Sequence, residues 1–252
     1  MDAETQPIPA EAPVTKQRSP RFAFLRRLGP WPRRIGIALA LVAALPFVLT
    51  VIYAIVPPPA SVVMLTRALS GNGITKDWVG LDEMSPHLPR AVITSEDARF
   101  CEHNGVDWIE FQEVLDEVFD DDEGPIRGAS TIPMQAAKNL FLSDSRSLLR
   151  KGAEVPVAFW MDFVWSKRRM IEIYLNIVEW APGIYGAEAA AQHHFHKSAA
   201  KLTKREAALL AAVLPNPIKR TAGKPSRRVN RIAARIMVRM AGMGPYLTCL
   251  QK

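Results

Sequence analysis

Three short blocks of the chain carry carboxylates, cations and amides at spacings that suit acid–base chemistry. The first runs from residue 96 to 105, the second from 128 to 139 and the third from 150 to 154. A carboxylate with a raised pKa can abstract a proton from a hydroxyl, and nearby cations stabilise a departing anionic group. The inventory therefore suits proton abstraction from a hydroxyl, such as that of a sugar, beside an anionic leaving group such as pyrophosphate.

Glu96 is the predicted general base of the first block. Phe100 is expected to exclude water from Glu96 and so to raise the pKa of its carboxyl by desolvation. His103 is expected to act as an orienting hydrogen-bond donor rather than as the base, and Asp97 is a further candidate for substrate binding. Without its neighbours, the Glu-Asp pair would be interpreted as a solvated helix end.

The second block is a glycine-containing turn that leads into a predicted helix. The unpaired N–H groups of a helix N-terminus suit phosphate. We predict that Ser130 caps this helix and that Pro133 lies in its first turn. An ordinary capped amphipathic helix is the alternative. The candidate substrate-binding residues are Ser130, Thr131, Gln135, Lys138 and Asn139.

The third block places Arg150 and Glu154 four residues apart on a predicted helix, a spacing typical of surface ion pairs. The sequence becomes strongly apolar directly after Glu154, which favours a functional carboxylate at that point. Glu154 is therefore the second catalytic candidate, and Arg150 and Lys151 are candidates for substrate binding.

The histidines at 193, 194 and 196 lack accompanying carboxylates or thiols, so no metal site is assigned.

A single membrane-spanning helix is predicted at 35–56, where 22 residues carry no charge. Four arginines precede it, so residues 1–34 are expected to form a basic cytoplasmic tail with the remainder of the chain outside. The net charge of +7 divides into +4 for 1–34, −6 for 35–217 and +9 for 218–252. Basic ends beside an apolar span favour membrane lipid over nucleic acid as a partner.

The rest of the chain has helical periodicity, and we predict an all-α fold without a sheet. Helix caps are expected at Asp107, Ser166 and Thr203, a long apolar helix from 147 to 165, and a solvated acidic loop at 120–125.

The apolar face of the basic helix at 227–241 rests either on the membrane or on the domain. Cys101 and Cys249 are predicted to be free thiols, with one disulfide bond outside the cytoplasm as the alternative.

These blocks together resemble the glycan-polymerising domain shared by class A penicillin-binding proteins and stand-alone peptidoglycan transglycosylases. The family pattern E-D-x-x-F-x-x-H-x-G matches residues 96–105 at every fixed position, and R-K-x-x-E matches residues 150–154. The pattern G-x-S-T-[IL]-x-Q-Q-x-x-K-N matches residues 128–139 except at Met134, where the family usually has Gln. Two further blocks, 167–176 and 183–190, are also similar to the family.

The resemblance implies a lysozyme-like glycosyltransferase domain at 57–217 with a basic C-terminal helix and tail at 218–252, the monofunctional form. It implies that Glu96 deprotonates the 4-hydroxyl of an acceptor lipid II, whose oxygen attacks C1 of the donor with inversion and expels undecaprenyl pyrophosphate. Glu154 would orient the donor pyrophosphate, with a Mg²⁺ or Mn²⁺ ion as an open option. Cationic charge at the leaving group would come from Lys138, Arg150 and Lys151, and positioning of the donor from Thr131, Gln135 and Asn139.

The expected location is the bacterial inner membrane, with a single span and a periplasmic catalytic domain. The expected partners are lipid II, the nascent glycan chain, membrane lipid and other cell-wall synthesis proteins. Three alternatives stay open: a lytic enzyme on the same fold, a non-catalytic membrane-anchored cell-wall scaffold, and a cytosolic nucleic-acid binder.

Overall fold

The structure, a computed structural model, describes residues 30–112, 130–143 and 147–251. Within these ranges almost all regular structure is helical, which confirms the prediction of an all-α, lysozyme-like fold. The long helices are α1 (Pro30–Tyr53), α2 (Val62–Leu69), α3 (His87–Glu96), α4 (Ile132–Phe141), α5 (Leu148–Val164), α6 (Lys167–Ile177), α7 (Ala187–Phe195), α8 (Lys204–Val213) and α9 (Arg227–Gly242). Residues 108–112 are also helical, and 3-10 turns occur at Leu81–Glu83, Ala199–Lys201 and Gly244–Leu250.

Several predictions fall outside the described residues. These are the basic tail up to residue 29, the acidic loop at 120–125, the turn at 128–129 and the continuation of the helix that begins at Trp108.

Helix α1 is the candidate membrane span. It begins five residues before the predicted start at 35 and ends at Tyr53, three residues before the predicted end. The stretch Trp31–Tyr53 has 23 residues and contains an 18-residue window with a mean hydropathy of 2.7. It rises by about 35 Å at 1.5 Å per residue, enough to cross a bilayer. Pro46 lies within this helix, as membrane helices allow. The chain divides into two compact units, Met1–Ala44 and Leu45–Lys252.

The core of the second unit has two groups of helices. Helices α3, α8 and α9 pack on one another, while α4 packs on α2, α5 and α6. The buried residues of α9 are Val229, Ala233, Ile236 and Met240, which form one helical face. Because that face packs against α3 and α8, the structure favours the packing interpretation of this basic helix over contact with the membrane.

The prediction that the chain forms no sheet is wrong. Three strands, β1 (Thr75–Lys76), β2 (Glu179–Ala181) and β3 (Ile184–Tyr185), form a small sheet in the order β1-β3-β2. Strand β1 runs parallel to β3, and β2 runs antiparallel to it. Strands of two or three residues are too short to show the alternation by which a sequence reveals a strand.

The predicted helix caps are confirmed at three positions and wrong at one. Asp107 accepts hydrogen bonds from the N–H groups of Ile109 and Glu110, Ser166 caps α6, and Thr203 forms a capping box at the start of α8. Ser130 does not cap α4. Thr131 does so instead, because its backbone is extended and its hydroxyl accepts the N–H of Met134 at 3.3 Å.

The prediction of two free thiols is also wrong. Cys101 and Cys249 form a disulfide bond, with their Cα atoms 5.6 Å apart and 148 positions apart in sequence. The bond forms because the 3-10 turn Gly244–Leu250 folds back onto the domain, with Leu247 buried. No local pattern in the sequence reports such a long-range approach.

Candidate active site

Glu96 is the last residue of α3 and lines a cleft of about 520 Å³. The cleft lies where the end of α3 faces α4, the segment at 108–112 and the last turn of α9. Five predicted site residues share it: Glu96, Asp97, Ser130, Gln135 and Lys138. The other lining residues are Ser95, Ala98, Glu110, Leu214, Pro215 and Arg239.

The surroundings of Glu96 raise the pKa of its carboxyl, chiefly because burial disfavours the charged form. The negative charge of Asp97 acts in the same direction. Hydrogen bonds from Gln135 Nε2 at 3.3 Å and from Ser95 Oγ at 3.1 Å oppose this shift, as does the positive charge of Lys138. The carboxylate is thus held by donors in a poorly solvated position, which suits a general base.

Asp97 links the catalytic end of α3 to the start of α4. Its Oδ2 atom accepts the N–H of Ile132, the first residue of α4, at 2.9 Å. Its Oδ1 atom lies 2.9 Å from His103 Nε2, which acts as the donor because an ionised carboxylate only accepts. The predicted orienting role of His103 therefore has a defined partner, the carboxylate of Asp97. Both side chains are buried.

Lys167, at the start of α6, fixes the loop that follows Asp97. Its Nζ atom donates to the carbonyl of His103 at 2.6 Å and lies 2.7 Å from the carboxylate of Asp162. The same ammonium lies 4.8 Å from the centre of the Phe100 ring, which is fully buried. Phe100 is not among the described residues that line the Glu96 cleft, and it belongs to the buried core. Its predicted shielding of Glu96 stays a prediction.

Gly105 allows the loop to pass close to α5. Its φ of +74° is one that glycine adopts readily, and a Cβ added there would lie 2.9 Å from the backbone nitrogen of Phe159. The hydroxyl of Thr131 donates to the carbonyl of Gly105 at 2.6 Å. Thr131 therefore connects three parts of the site: the loop, the N-terminus of α4 and, through the loop, α5.

Asn139 and Thr131 use their polar atoms within the protein. The amide of Asn139 donates to the carbonyl of Gln135 at 2.8 Å, and both Asn139 and Thr131 are buried. Met134, where the family pattern has Gln, is also buried and packs with Val106 and Ala158. Their predicted roles toward substrate stay predictions, but these three side chains support α4 instead of facing the Glu96 cleft.

Glu154 is buried on α5 and forms an ion pair with Arg150 one turn earlier. A carboxylate that is 2% exposed is not the solvated surface partner that its spacing suggests. In the described part of the chain, Glu154, Arg150 and Lys151 are not among the residues that line the Glu96 cleft. Helix α5 nevertheless packs directly on α4, which carries Gln135 and Lys138.

Comparison with protein families matches residues 63–241 to the model of the transglycosylase family. The chain belongs to the transglycosylase family. It is similar to biosynthetic peptidoglycan transglycosylases from Agrobacterium fabrum (51% identity over 86% of this chain and 96% of the relative) and Rhizobium meliloti (49% over 86% and 92%). The relative of the same name from Brucella suis is 48% identical over 88% of this chain and its own full length.

The described residues of this transglycosylase include no cluster of protein ligands that would hold a divalent cation without substrate. Across residues 30–112, 130–143 and 147–251, no three His, Cys, Asp or Glu side chains converge on a common point. Glu154 already pairs with Arg150, which competes with a metal for its oxygens. Within the histidine run, His194 has a structural contact, because its Nε2 donates to the carbonyl of Trp180 at 3.2 Å. Burial lowers the pKa of His194 and so favours its neutral form.

The sequence-based list of site residues omitted four polar side chains of this transglycosylase, namely Ser95, Glu110, Arg239 and Tyr174. Glu110 and Arg239 line the cleft from the 108–112 segment and from α9, and nothing in their local sequence marks them. Tyr174 contacts Gln135 from α6. Tyr174 lies within the family-like block at 167–176, so that block was the available signal for it.

Proposed function

We propose that this transglycosylase polymerises lipid II into linear glycan strands with Glu96 as the general base. The carboxylate takes the proton of the 4-hydroxyl on the acceptor's N-acetylglucosamine. The freed oxygen forms a bond to C1 of the donor chain's terminal sugar, with inversion. The bond from C1 to the pyrophosphate oxygen breaks, and undecaprenyl pyrophosphate leaves with the electron pair.

The observation that carries this proposal is a single cleft holding both a desolvated carboxylate and a cation. Burial raises the pKa of Glu96, which makes the ionised form a stronger base near neutral pH. Lys138 lines the same cleft, where a positive charge stabilises the negative charge that develops on the leaving group. Ser130 and Gln135 supply polar groups in that cleft for the sugars and phosphates.

We assign the donor pyrophosphate to the region between Lys138 on α4 and the N-terminal part of α5, two helices that pack on each other. The buried carboxylate of Glu154 fixes the position of the Arg150 guanidinium, whose planar donors match phosphate oxygens. Lys151, the residue after Arg150, adds a second cation. No step of this proposal is routed through a metal ion. Thr131 and Asn139 act on the donor indirectly, by holding α4 in place.

The proposed topology places the N-terminus in the cytoplasm and the catalytic domain outside the inner membrane. The arginines before the apolar span support it, and so does the Cys101–Cys249 bond, which persists in oxidising compartments.

A mostly apolar groove of about 970 Å³ lies between Phe47 on α1 and Trp160 and Phe163 on α5. An apolar groove at the end of a membrane helix is suited to lipid.

Polymerisation of labelled lipid II by the detergent-solubilised full chain tests the proposal. Glu96→Gln is expected to lower the rate by about 10²–10⁴-fold, the contribution of a general base. The matched control is Glu102→Gln, which removes an exposed carboxylate from the following loop and should polymerise normally. Full activity of Glu96→Gln would refute the base assignment.

The same assay separates the alternative functions. Shortening of preformed glycan without polymerisation would indicate a lytic enzyme. A cellular role that survives Glu96→Gln would indicate a scaffold. A reporter fused after residue 252 that is active only in the cytoplasm would overturn the proposed topology.

A further inference from the structure

Two hydrogen bonds connect a buried tyrosine on α6 to the proposed base. Tyr174 is fully buried, and its hydroxyl donates to Gln135 Oε1 at 2.8 Å. Gln135 Nε2 then donates to Glu96 Oε2 at 3.3 Å. Among the described residues, Gln135 is the one hydrogen-bond partner of the Tyr174 hydroxyl.

The direction of this chain is fixed by what surrounds the amide of Gln135. Its Nε2 atom faces two acceptors, the Glu96 carboxylate and the carbonyl of Ser130 at 3.3 Å. Its Oε1 atom faces the hydroxyl of Tyr174, which needs an acceptor for its proton. Rotating the amide by half a turn would place oxygen against both acceptors and leave a buried hydroxyl proton unpaired, which is costly.

We propose that Tyr174 is a positioning residue that acts through Gln135 to keep Glu96 ionised. This inference rests on the proposed role of Glu96 as the base. A hydrogen bond donated to the charged form of a carboxylate favours that form. By holding the Nε2 end of Gln135 toward Glu96, Tyr174 offsets part of the desolvation that favours the protonated carboxyl.

The burial of Tyr174 supports this role over a wide pH range. Burial, together with the negative charges of Glu96 and Asp97, holds the pKa of Tyr174 well above its usual value. The hydroxyl therefore keeps its proton and remains a donor wherever Glu96 titrates.

Other charged groups face Glu96 from the surrounding elements. Asp97 follows it directly, Lys138 lies on α4, Glu110 on the 108–112 segment and Arg239 on α9. None of these is altered by removing the Tyr174 hydroxyl. A change in the titration of Glu96 in that variant is therefore attributable to the hydrogen-bond chain.

The test is the pH dependence of kcat/KM for lipid II polymerisation by the full-length protein. Glu96 must be ionised to act, so activity rises with pH through its pKa. This rise in activity is the acid limb of the pH profile. Tyr174→Phe is expected to shift the acid limb to higher pH by about half a unit or more, with most activity regained at still higher pH. Tyr185→Phe, which also removes a fully buried hydroxyl, is the matched control and should not move the limb.

A second variant keeps the inference testable if Tyr174→Phe folds poorly. Gln135→Met removes the intermediate amide and should move the acid limb at least as far as Tyr174→Phe. In the Gln135→Met background, Tyr174→Phe should then add no further shift, because the two residues act in series. Equal and independent shifts from the two changes would overturn the inference.

Failure of the inference and failure of the proposed function are distinguishable. If Glu96→Gln polymerises normally, the base assignment fails whatever Tyr174 does. If Glu96→Gln is inactive while the acid limb of Tyr174→Phe coincides with that of Tyr185→Phe, only the positioning role is refuted.

Discussion

Cys101 is covalently bonded to Cys249, which ties the loop that follows Glu96 to the 3-10 turn Gly244–Leu250. The carbonyl of Leu250 in this turn also accepts a hydrogen bond from Arg168, whose other nitrogen lies 2.6 Å from Asp82. The turn is therefore held to the domain by a disulfide bond, a hydrogen bond and the burial of Leu247.

Loss of this disulfide bond is expected to destabilise the fold. The bond closes a loop of 148 positions, so Cys249→Ser should lower the free energy of unfolding by about 2–4 kcal/mol. Thermal unfolding with and without a reductant measures this. Reductant should lower the Tm of the wild type and leave that of Cys249→Ser unchanged. Two thiols that react with maleimide in the unreduced, unfolded wild type would contradict the prediction.

Gly105→Ala is expected to lower stability by about 1–3 kcal/mol, because the position combines a φ of +74° with a close approach to α5. Gly152→Ala on α5 is the matched control, since an added Cβ there meets nothing within 4 Å. In a helix interior that change should stabilise by about 0.5–1 kcal/mol. Chemical denaturation of both variants gives the comparison, and equal midpoints would refute the steric argument.

Asp97→Asn should destabilise the junction between α3 and α4. The carboxylate accepts from both Ile132 N–H and His103 Nε2, and an amide offers only one acceptor oxygen. The amide nitrogen of the variant then faces a buried N–H donor, the Nε2 proton of His103 when the oxygen takes the place of Oδ2, at a cost of about 1–3 kcal/mol. Glu102→Gln in the next loop is the control. An Asn variant with unchanged Tm and unchanged polymerisation would show that the link is dispensable.

Lys138→Met is expected to lower kcat for polymerisation by about 10²-fold, because the variant lacks a cation in the reaction cleft. The same change should move the acid limb of the pH profile upward, since the charge of Lys138 lowers the pKa of Glu96. Lys204→Met replaces an exposed lysine at the start of α8 and serves as the control. An unaltered profile would place Lys138 outside the reaction.

Replacing Glu96 by Gln should increase stability while abolishing activity. The folded state raises the pKa of Glu96, so it binds more protons than the unfolded chain between the two pKa values. Stability is therefore lost as pH rises through that window. The Gln variant lacks this loss, so its advantage in free energy of unfolding should grow with pH and then level off. Denaturation of both proteins at several pH values measures it, and an advantage that shrinks with pH would contradict the sign.

The sequence by itself determined the helical class, the apolar span, most helix caps and five of the residues that line the reaction cleft. These features depend on local periodicity, capping chemistry or ordered motifs, and Glu96, Gln135 and Lys138 were found in that way. In the structure these three residues line one cleft, whereas Glu154, Arg150 and Lys151 are not among its described lining residues, so the roles of the predicted site residues stay predictions.

Only the tertiary structure decided the pairing of Cys101 with Cys249, the short sheet, and the positions of Tyr174, Glu110 and Arg239 relative to Glu96. It also showed that Thr131 and Asn139 direct their polar atoms into the protein. The physical reason is the same in each case. Contacts between residues far apart in the chain depend on which helix faces meet. Local periodicity shows that a face is buried but not which face it packs against.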